Sequence, residues 1–452
     1  MRRETIDMQG VGVRRETIDA SEARRETRDV RRGSSLSSCN LVSRLTSHAP
    51  TPWPKVRLGD VCEIRTGKRD VNFGSADGKY PFFTCAKEVS RCNSYSYDFD
   101  AILLAGNCDI GNMFRFKGKF EAYQRTYILT NKRSDIADID YVWDCLRDSW
   151  VKITRGKMLG AAVQYIKLGM IKEFQIPLPP LPVQRRIADV LSAYDDLIEN
   201  NRRRIAILEE TARLAYRKWF GGSGAKGGMR HETIDEPEVG RETRDVRRVS
   251  SLPSHVRVSR LTSHAQLRTV TLGEICREVR RGVNPDAIAP DTPYIGLEHM
   301  PRRSISLYEW ESAQKITSTK LAFETGDILF GKIRPYFHKV GIAFVDGVAS
   351  SDAIVIKPNR PELLAYVLMT VSSDAFVAAA SQGMKEGSKM PRADWKQLLR
   401  YCVVLPDAET LSAFNKVLNP ILAQLKALCF STRTLASARD MLLPRLMKGG
   451  AT

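Results

Sequence analysis

The sequence lacks the residue patterns that most catalytic and metal sites require. Its nine cysteines and six histidines are scattered, with no Cys-x-x-Cys pair and no His-Glu-x-x-His motif, so neither a disulfide framework nor a zinc site is expected. A phosphate-binding Gly-x-x-x-x-Gly-Lys-[Ser/Thr] loop is also absent, because the nearest stretch, Gly74–Lys79, has the wrong spacing and no Ser or Thr after the lysine. The sequence therefore predicts no cofactor, no metal and no ATP site.

Two further absences concern location. No apolar run approaches the roughly 20 residues that a helix needs to cross a bilayer. The N-terminal Met1-Arg-Arg-Glu-Thr segment lacks the apolar region of a secretory signal. Cysteines without a pairing pattern are typical of a reducing compartment. We therefore expect a cytoplasmic protein that has no membrane partner.

Positive charge is present in excess. The 452 residues include 70 Lys and Arg against 52 Asp and Glu, which gives a formal net charge of +18. Such a chain is a candidate to bind a polyanion, nucleic acid first and an anionic membrane surface second. A generally basic surface is the alternative. Because 43% of the residues are hydrophobic, the chain can bury the cores of two or three domains.

The stretch Ile187–Trp219 carries a heptad repeat. Apolar or small residues recur there in alternating steps of four and three, the spacing of a helix that lies along another helix. A long amphipathic helix packed on its own domain would show the same spacing. One heptad position is polar, and a lone Asn there often fixes register or partner choice. The heptad positions are Ile187, Leu191, Tyr194, Ile198, Asn201, Ile205, Leu208, Ala212, Ala215 and Trp219.

A second copy of the heptad repeat lies 227 residues further along the chain. The same offset places Pro179 on Pro406, whereas Val56–Asp60 recurs as Val270–Glu274 at an offset of 214, so the second copy is 13 residues longer inside. This pattern predicts a duplicated unit in which a globular part precedes a long helix. The second set of heptad positions is Phe414, Leu418, Ile421, Leu425, Leu428, Thr432, Leu435, Leu442 and Leu446.

The predicted fold class is α+β, with two globular domains separated by two long antiparallel coiled-coil helices and an internal pseudo-twofold duplication. Each helix has about 35 residues and would be roughly 50 Å long. Nearly identical Arg- and Ser-rich repeats near the N-terminus and before the second domain should not fold alone. An inserted genetic element and a functional basic arm both explain them. The predicted boundaries are a tail at 1–50, the first domain at 51–182, the first helix at 183–220, a linker at 221–265, the second domain at 266–406 and the second helix at 407–449.

Shorter elements are predicted inside the domains. Apolar runs bounded by turn residues indicate buried strands at Tyr80–Phe83 and Ala101–Ala105, and alternation predicts a half-buried strand at Tyr123–Thr130. A helix is expected at Tyr141–Trp150. Asn419-Pro420 is interpreted as the start of the second long helix, after a short helix that follows Pro406.

Four motifs carry a resemblance to a known family. They are Leu58-Gly-Asp60, Gly326–Pro335, Met441–Met447 and the block Ile176-Pro-Leu-Pro-Pro-Leu-Pro-Val-Gln-Arg-Arg-Ile187 that leads into the heptad helix. With them the chain resembles the specificity (S) subunit of a type I restriction-modification enzyme, over roughly 51–220 and 266–449. The second copy departs from the family pattern, because Pro406-Asp-Ala-Glu-Thr410 replaces the Pro-rich block.

The resemblance implies two target recognition domains, each reading one half of a split site in double-stranded DNA. The helices would act as the spacer and as the platform for two methyltransferase subunits, and restriction subunits would join that core. The chain itself would be non-catalytic. The adenine methyltransferase tetrapeptide is missing, since Asn284-Pro-Asp and Asn419-Pro-Ile lack its second proline. Two alternatives remain open: a recognition subunit of another restriction enzyme type, and a non-catalytic coiled-coil scaffold.

The candidate DNA contacts are basic and polar residues in short loops. Lys and Arg hold phosphates, and Arg, Asn, Gln and Lys read base edges. Two Gly-flexed loops, Arg155–Gly160 and Gly383–Lys389, occupy equivalent places in the two copies. For each residue a solvated surface charge or a turn is the alternative. The candidates are Lys68, Arg69, Gln124, Arg125, Arg155, Lys157, Lys332, Arg334, Lys339, Lys385 and Lys389, with Gln124 as a base reader.

Overall fold

The computed structural model describes residues 53–108, 111–157, 165–221, 268–382 and 390–448, without the side chains of 151–157. The chain divides into two compact units. The first unit comprises the residues up to Ala193 together with those from Ala438 onwards, and the second unit runs from Tyr194 to Ser437. The predictions for the tail at 1–50 and for the linker beyond Gly221 lie outside the described residues. The predicted domain boundaries stay predictions.

The first unit is built on a mixed six-stranded sheet. Its strands are β1 Lys55–Arg57, β2 Cys62–Thr66, β3 Tyr80–Phe83, β4 Ser90–Cys92, β5 Tyr97–Ala105, β6 Met113–Ala122, β7 Thr126–Asn131 and β8 Gln175–Pro177. Its helices are α1 Leu58–Val61, α2 Ile139–Lys157 and α3 Leu168–Lys172, and the long helix α4, Leu181–Phe220, begins here. The sheet order is β2-β7-β5-β6-β3-β4. Neighbouring strands are antiparallel except β3 and β6, which are parallel.

Strand β5 explains why Ala101–Ala105 is an unbroken apolar run. Ile102 and Leu104 lie in the core formed with Tyr141 of α2. Leu103 points into an aromatic cluster with Phe120 on the opposite side. Because both sides of the strand are covered, the sequence shows no alternation. The prediction of a half-buried strand at Tyr123–Thr130 is corrected in the same way. The strand begins at Thr126, and its residues from Thr126 to Leu129 are all buried.

The second unit contains two five-stranded sheets, ordered β10-β19-β16-β17-β13 and β11-β15-β18-β12-β14. Its strands are β9 Arg268–Thr271, β10 Cys276–Val279, β11 Gly282–Val283, β12 Pro293–Ile295, β13 Ser306–Leu307, β14 Glu311–Ser312, β15 Lys320–Phe323, β16 Ile328–Gly331, β17 Val340–Ala343, β18 Gly347–Ala349, β19 Ala353–Pro358 and β20 Cys402–Leu405. Its helices are α5 Leu272–Ile275, α6 Leu364–Val371, α7 Asp374–Gln382, α8 Trp395–Leu398 and most of the long helix α9, Ala408–Met447, whose residues from Ala438 onwards belong to the first unit. Short 3₁₀ helices lie at Val71–Phe73 in the first unit and at Pro285–Ala287, Leu297–His299, Ala313–Lys315, Pro335–Phe337 and Pro361–Leu363 in the second.

Both units close in the same way. In the first, β1 pairs with β8 through Val56 opposite Ile176. In the second, β9 pairs with β20 through Val270 opposite Val403. Each exit strand leads directly into a long helix. The predicted duplication of entry and exit is therefore confirmed, and the sheets between them differ.

The long helix α9 corrects the interpretation of Asn419-Pro420. A single helix of 40 residues runs from Ala408 through Pro420 to Met447. Proline inside a helix removes one hydrogen bond and costs about 3 kcal/mol. Phe414 and Leu418 before it and Leu425 after it are fully buried, whereas Pro420 is exposed. Burial on one face therefore keeps the helix continuous, while the unpaired carbonyl can meet water.

The start of α4 is anchored by a buried amide. Gln184 is fully buried, and its Nε2 donates to the carbonyls of Ile136 and Pro179 at 2.8 and 2.7 Å. Its Oε1 accepts the amide of Asp138 at 2.9 Å. At the offset of 227 the second copy has Leu411, which is 4% exposed. The first turn of α4 is thus held by a buried polar side chain, whereas the equivalent position of α9 is a buried apolar side chain.

Candidate nucleic-acid interface

The first unit brings four of the predicted DNA-contacting residues together. Lys68 and Arg69 follow β2, and Gln124 and Arg125 form the turn between β6 and β7. The amide of Gln124 donates to the carbonyl of Arg69 at 2.8 Å, and the amide of Arg69 donates to the carbonyl of Ala122 at 3.3 Å. Lys68, Gln124 and Arg125 are exposed, whereas Arg69 is half-buried.

Gly67 is what allows these two segments to approach each other. Its amide donates to the carbonyl of Thr126 at 3.0 Å. A Cβ atom at this position would lie 2.3 Å from the backbone oxygens of Ala122 and Tyr123. Any other residue at 67 would therefore push the loop away from the turn. The glycine sets the spacing between the basic pair and the turn that carries Gln124.

A cavity of about 410 Å³ lies beside this cluster. Tyr97, which is 6% exposed, forms one wall. Burial raises the pKa of Tyr97 above its ordinary value, and the nearby Glu121 adds to that shift. The cavity is lined by Arg65, Thr66, Gly67, Lys68, Tyr97 and Leu168, so two cations border it.

Three predicted residues of the second unit, Lys332, Arg334 and Lys339, lie around the 3₁₀ helix Pro335–Phe337. Lys332 Nζ donates to the carbonyl of Ser351 at 2.5 Å. Lys339 Nζ donates to the carbonyl of Leu297 at 2.5 Å, and burial lowers the pKa of Lys339. The ammonium groups of both lysines are therefore hydrogen-bonded to the protein backbone. The guanidinium of Arg334 lies 5.8 Å from the ring centroid of Phe337.

The aromatic residues of this turn are flanked by arginines. The Cζ atom of Arg302 lies 4.3 Å from the ring centroid of Phe337, which belongs to this turn. Tyr336 is 50% exposed. Arg334 and His338, at the two ends of the 3₁₀ helix, have φ values of 49° and 54°. Arginines beside an exposed ring form a surface on which nucleic-acid backbone and bases can both be held.

The long helices bring their predicted pairing residues together within each unit. In the second unit Asn201 Nδ2 donates to Ser431 Oγ at 3.2 Å, and the ring of Trp219 lies 5.9 Å from that of Phe414. Later residues of α4 thus meet earlier residues of α9, so the helices run antiparallel there. In the first unit Ile187 and Leu191 share a core with Leu443, Leu446 and Met447. Ile198, Asn201, Ile205, Leu418, Leu425 and Leu428 are buried, whereas Tyr194, Leu208, Ile421 and Leu435 are partly buried.

Comparison with known proteins identifies the family. Residues 50–210 match the family model described as the type I restriction modification DNA specificity domain. The Escherichia coli type I restriction enzyme EcoDI specificity subunit is 30% identical over 372 residues, which cover 79% of this chain and 78% of that protein. The chain belongs to the type I specificity subunits. The long helices and mixed sheets described above are thus those of a specificity subunit.

Two further similarities agree with this assignment. The MjaVIII specificity subunit of Methanocaldococcus jannaschii is 25% identical over 205 residues, or 42% of this chain and 46% of that protein. The crystal structure of the type I restriction-modification system S subunit from M. genitalium has the same fold. It matches with a TM-score of 0.56 and 16% identity, over 88% of this chain and 97% of that one.

Four of the predicted DNA contacts of this specificity subunit cannot be placed. Arg155 and Lys157 belong to α2, but their side chains lie outside the described residues, as do Lys385 and Lys389 entirely. The prediction that the two Gly-flexed loops are equivalent DNA contacts therefore stays a prediction.

The specificity subunit has a basic and aromatic surface that the sequence predictions missed. On β6, Lys119 Nζ lies 4.9 Å from the ring centroid of Tyr95. Tyr95 packs on Tyr80 at 4.8 Å, and Lys79 lies 5.9 Å from that second ring. The signal was the alternation in Met113–Phe120, where Arg115, Lys117 and Lys119 recur at every second residue. Of these three cations, Arg115 differs from the two lysines, because its charge is paired with Asp100 and Asp140.

Within the described ranges, no group of three or more His, Cys, Asp or Glu side chains could hold a metal ion. No single helix there is long and apolar enough to cross a membrane; a bent pair, Pro361–Val371 with Asp374–Gln382, reaches that length and composition jointly. Its Leu368 and Phe376 are buried in the core of the second unit.

Proposed function

We propose that this specificity subunit is non-catalytic and that each of its two units reads one half of a split target in double-stranded DNA. The supporting observation is the duplication itself. Two units with the same entry and exit strands precede two helices of 40 residues each. Between those strands the sheets differ, and different basic side chains are presented. Two readers of different sequence joined to a common spacer fit this combination.

The proposed protein partners are two methyltransferase subunits, which would dock on the long helices, and restriction subunits that join the complex. Exposed apolar side chains on α4 support this docking. Leu197, Ile207 and Leu214 are 51%, 65% and 54% exposed. Apolar side chains that project from a helix already packed on its other face are typical of a protein interface.

The proposed DNA recognition is tested with the chain reconstituted with its methyltransferase subunits. The methylated motif is mapped by sequencing DNA modified by the complex, and binding of duplexes is measured over a range of salt concentrations. We expect one split motif, together with binding that weakens as salt rises, because Lys and Arg contacts release counterions from the phosphates. Equal methylation and equal binding of all sequences would contradict recognition and favour a scaffold.

Methyltransferase docking is tested separately. Ile207→Glu places a charge on the exposed face of α4 and should reduce co-purification of the methyltransferase. Val89→Glu is the matched control, because Val89 is also an exposed aliphatic residue, at 41%, but lies outside the long helices. Equal recovery of the methyltransferase with both variants would contradict docking on this face.

A further inference from the structure

Arg69 is held on two sides of its guanidinium group. Its Nε donates to Glu121 Oε2 at 3.3 Å. Its Cζ lies 4.4 Å from the ring centroid of Phe73. The side chain is still 42% exposed, and within the described part of the chain neither terminal nitrogen donates to a protein acceptor. The forked end of the group is therefore presented to solvent in a fixed direction.

The carboxyl group of Glu121 is buried in the sheet, and its burial must be offset by hydrogen bonds. Its side chain is fully buried, and a buried acid is unfavourable unless it is hydrogen-bonded. Oε2 also accepts the hydroxyl of Ser96 at 2.6 Å, and Oε1 accepts the amide of Ala122 at 3.1 Å. These bonds fix the carboxyl group, so it can orient Arg69 rather than follow its motion.

The backbone on either side of Arg69 is fixed as well. The amide and carbonyl of Arg69 bond to the segment Ala122–Gln124, as described above. Asp70 caps the following 3₁₀ helix, with its Oδ1 accepting the amide of Asn72 at 3.2 Å, and this helix carries Phe73. A side chain held in this way loses little freedom on binding, which favours a specific contact.

We propose that Arg69 reads a guanine in the half-site of the first unit and that Glu121 is its positioning residue. The inference rests on the proposed function. Two forked N–H donors match the O6 and N7 acceptors of guanine in the major groove. A phosphate contact needs positive charge but little orientation, and pairing with Glu121 offsets that charge while fixing the direction. The neighbours Lys68 and Arg125, which are exposed, suit the phosphates.

The second unit has a different residue at this place. The offset of 214 that aligns Val56–Asp60 with Val270–Glu274 places Val283 at the position of Arg69, and it aligns Asp70 with Asn284, each of which directly precedes a 3₁₀ helix. Valine has no hydrogen-bond donor in its side chain, so the two units differ where the first would read guanine. Such a difference is what two units that recognise different half-sites require.

The test uses the full chain reconstituted with its methyltransferase subunits and maps the methylated motif for each variant. Arg69→Ala should lose the preference for one G·C pair in one half-site, on the order of 10- to 100-fold, with all other positions unchanged. Arg69→Lys should lose most of that preference, since a lysine cannot bond in the same bidentate way. Glu121→Gln should weaken discrimination at the same position. Lys68→Ala is the control and should reduce methylation of all sequences evenly.

The outcomes separate the two proposals. An Arg69→Ala variant that methylates an intact motif at an evenly reduced rate would show a phosphate contact and overturn the inference. A change at an A·T pair, or at positions in both half-sites, would also overturn it. Absence of any split motif in the unaltered protein is a failure of the proposed function instead. If Glu121→Gln does not fold, Ser96→Ala, which removes the 2.6 Å bond to Glu121, should weaken the same position.

Discussion

Glu209 offers a quantitative test of how α4 is fixed to the second unit. Its Oε1 accepts the hydroxyl of Ser304 at 2.7 Å and the amide of Ile305 at 3.1 Å. Arg213 Nη2 lies 3.6 Å from Oε2, and the Glu209 side chain is 6% exposed. Replacing Glu209 with alanine would leave one buried amide, one hydroxyl and one guanidinium without this acceptor.

The expected loss follows from these groups. An unsatisfied buried donor costs about 1–3 kcal/mol, and removing one partner of a buried ion pair costs about 3–5 kcal/mol. Arg213 is 23% exposed and also lies 3.5 Å from Glu210, so water and that acid reduce its share. We therefore expect Glu209→Ala to lower the free energy of unfolding of the second unit by about 3 kcal/mol.

Glu210→Ala is the matched control on the same helix. Its side chain is 51% exposed and pairs with Arg213 and Arg217 at 3.5 and 2.7 Å. Exposed ion pairs contribute less than about 1 kcal/mol. Urea unfolding followed by circular dichroism measures both losses, and hydrogen exchange reports the Ile305 amide directly. Equal losses in the two variants, or an Ile305 amide equally protected in both, would refute the reasoning.

Three further outcomes are expected. Asn201→Leu should raise the melting temperature of the chain, because an apolar side chain replaces a buried polar heptad residue whose partner, Ser431, is exposed and can bond to water; a lower melting temperature would contradict this. Burial lowers the pKa of His338 from its ordinary 6.5, so below pH 6.5 the unfolded chain takes up a proton that the folded chain does not. Stability should therefore fall as pH falls through 6.5, and His338→Gln should remove that part of the slope in pH-dependent melting. Lengthening both long helices by one heptad should change the spacer in the methylated motif, and an unchanged spacer would count against the helices as the ruler.

Local patterns explain what the sequence could predict. Heptad spacing depends on residues three and four apart on one helix, so the amino-acid order is enough to identify Ile198, Ile205, Leu418 and Leu425 as packing positions, and all four are buried. The repeated entry and exit motifs likewise revealed the duplication, because each strand pair adjoins its own long helix. These features need no knowledge of the sheet order.

Long-range contacts explain what the sequence could not predict. Arg69 and Glu121 are separated by 52 residues, and nothing in the local pattern of either indicates that β6 brings them together. Lys332 and Lys339 stay predicted DNA contacts, but nothing in the local sequence indicates that their ammonium groups bond to the backbone carbonyls of Ser351 and Leu297. The prediction that a new helix begins at Asn419-Pro420 was wrong. Burial of one face of α9 against residues distant in the sequence outweighs the local tendency of proline to interrupt a helix.

The buried amide of Gln184 has a consequence for exchanging recognition domains between proteins. A replacement for residues 51–180 must bring a loop that offers the carbonyl and amide now supplied by Ile136 and Asp138. A domain taken from the second position would meet this glutamine with a surface shaped for Leu411. Each donor or acceptor stranded in that graft would cost about 1–3 kcal/mol. Chimaeras that keep a domain in its original position should therefore fold better than those that transpose it.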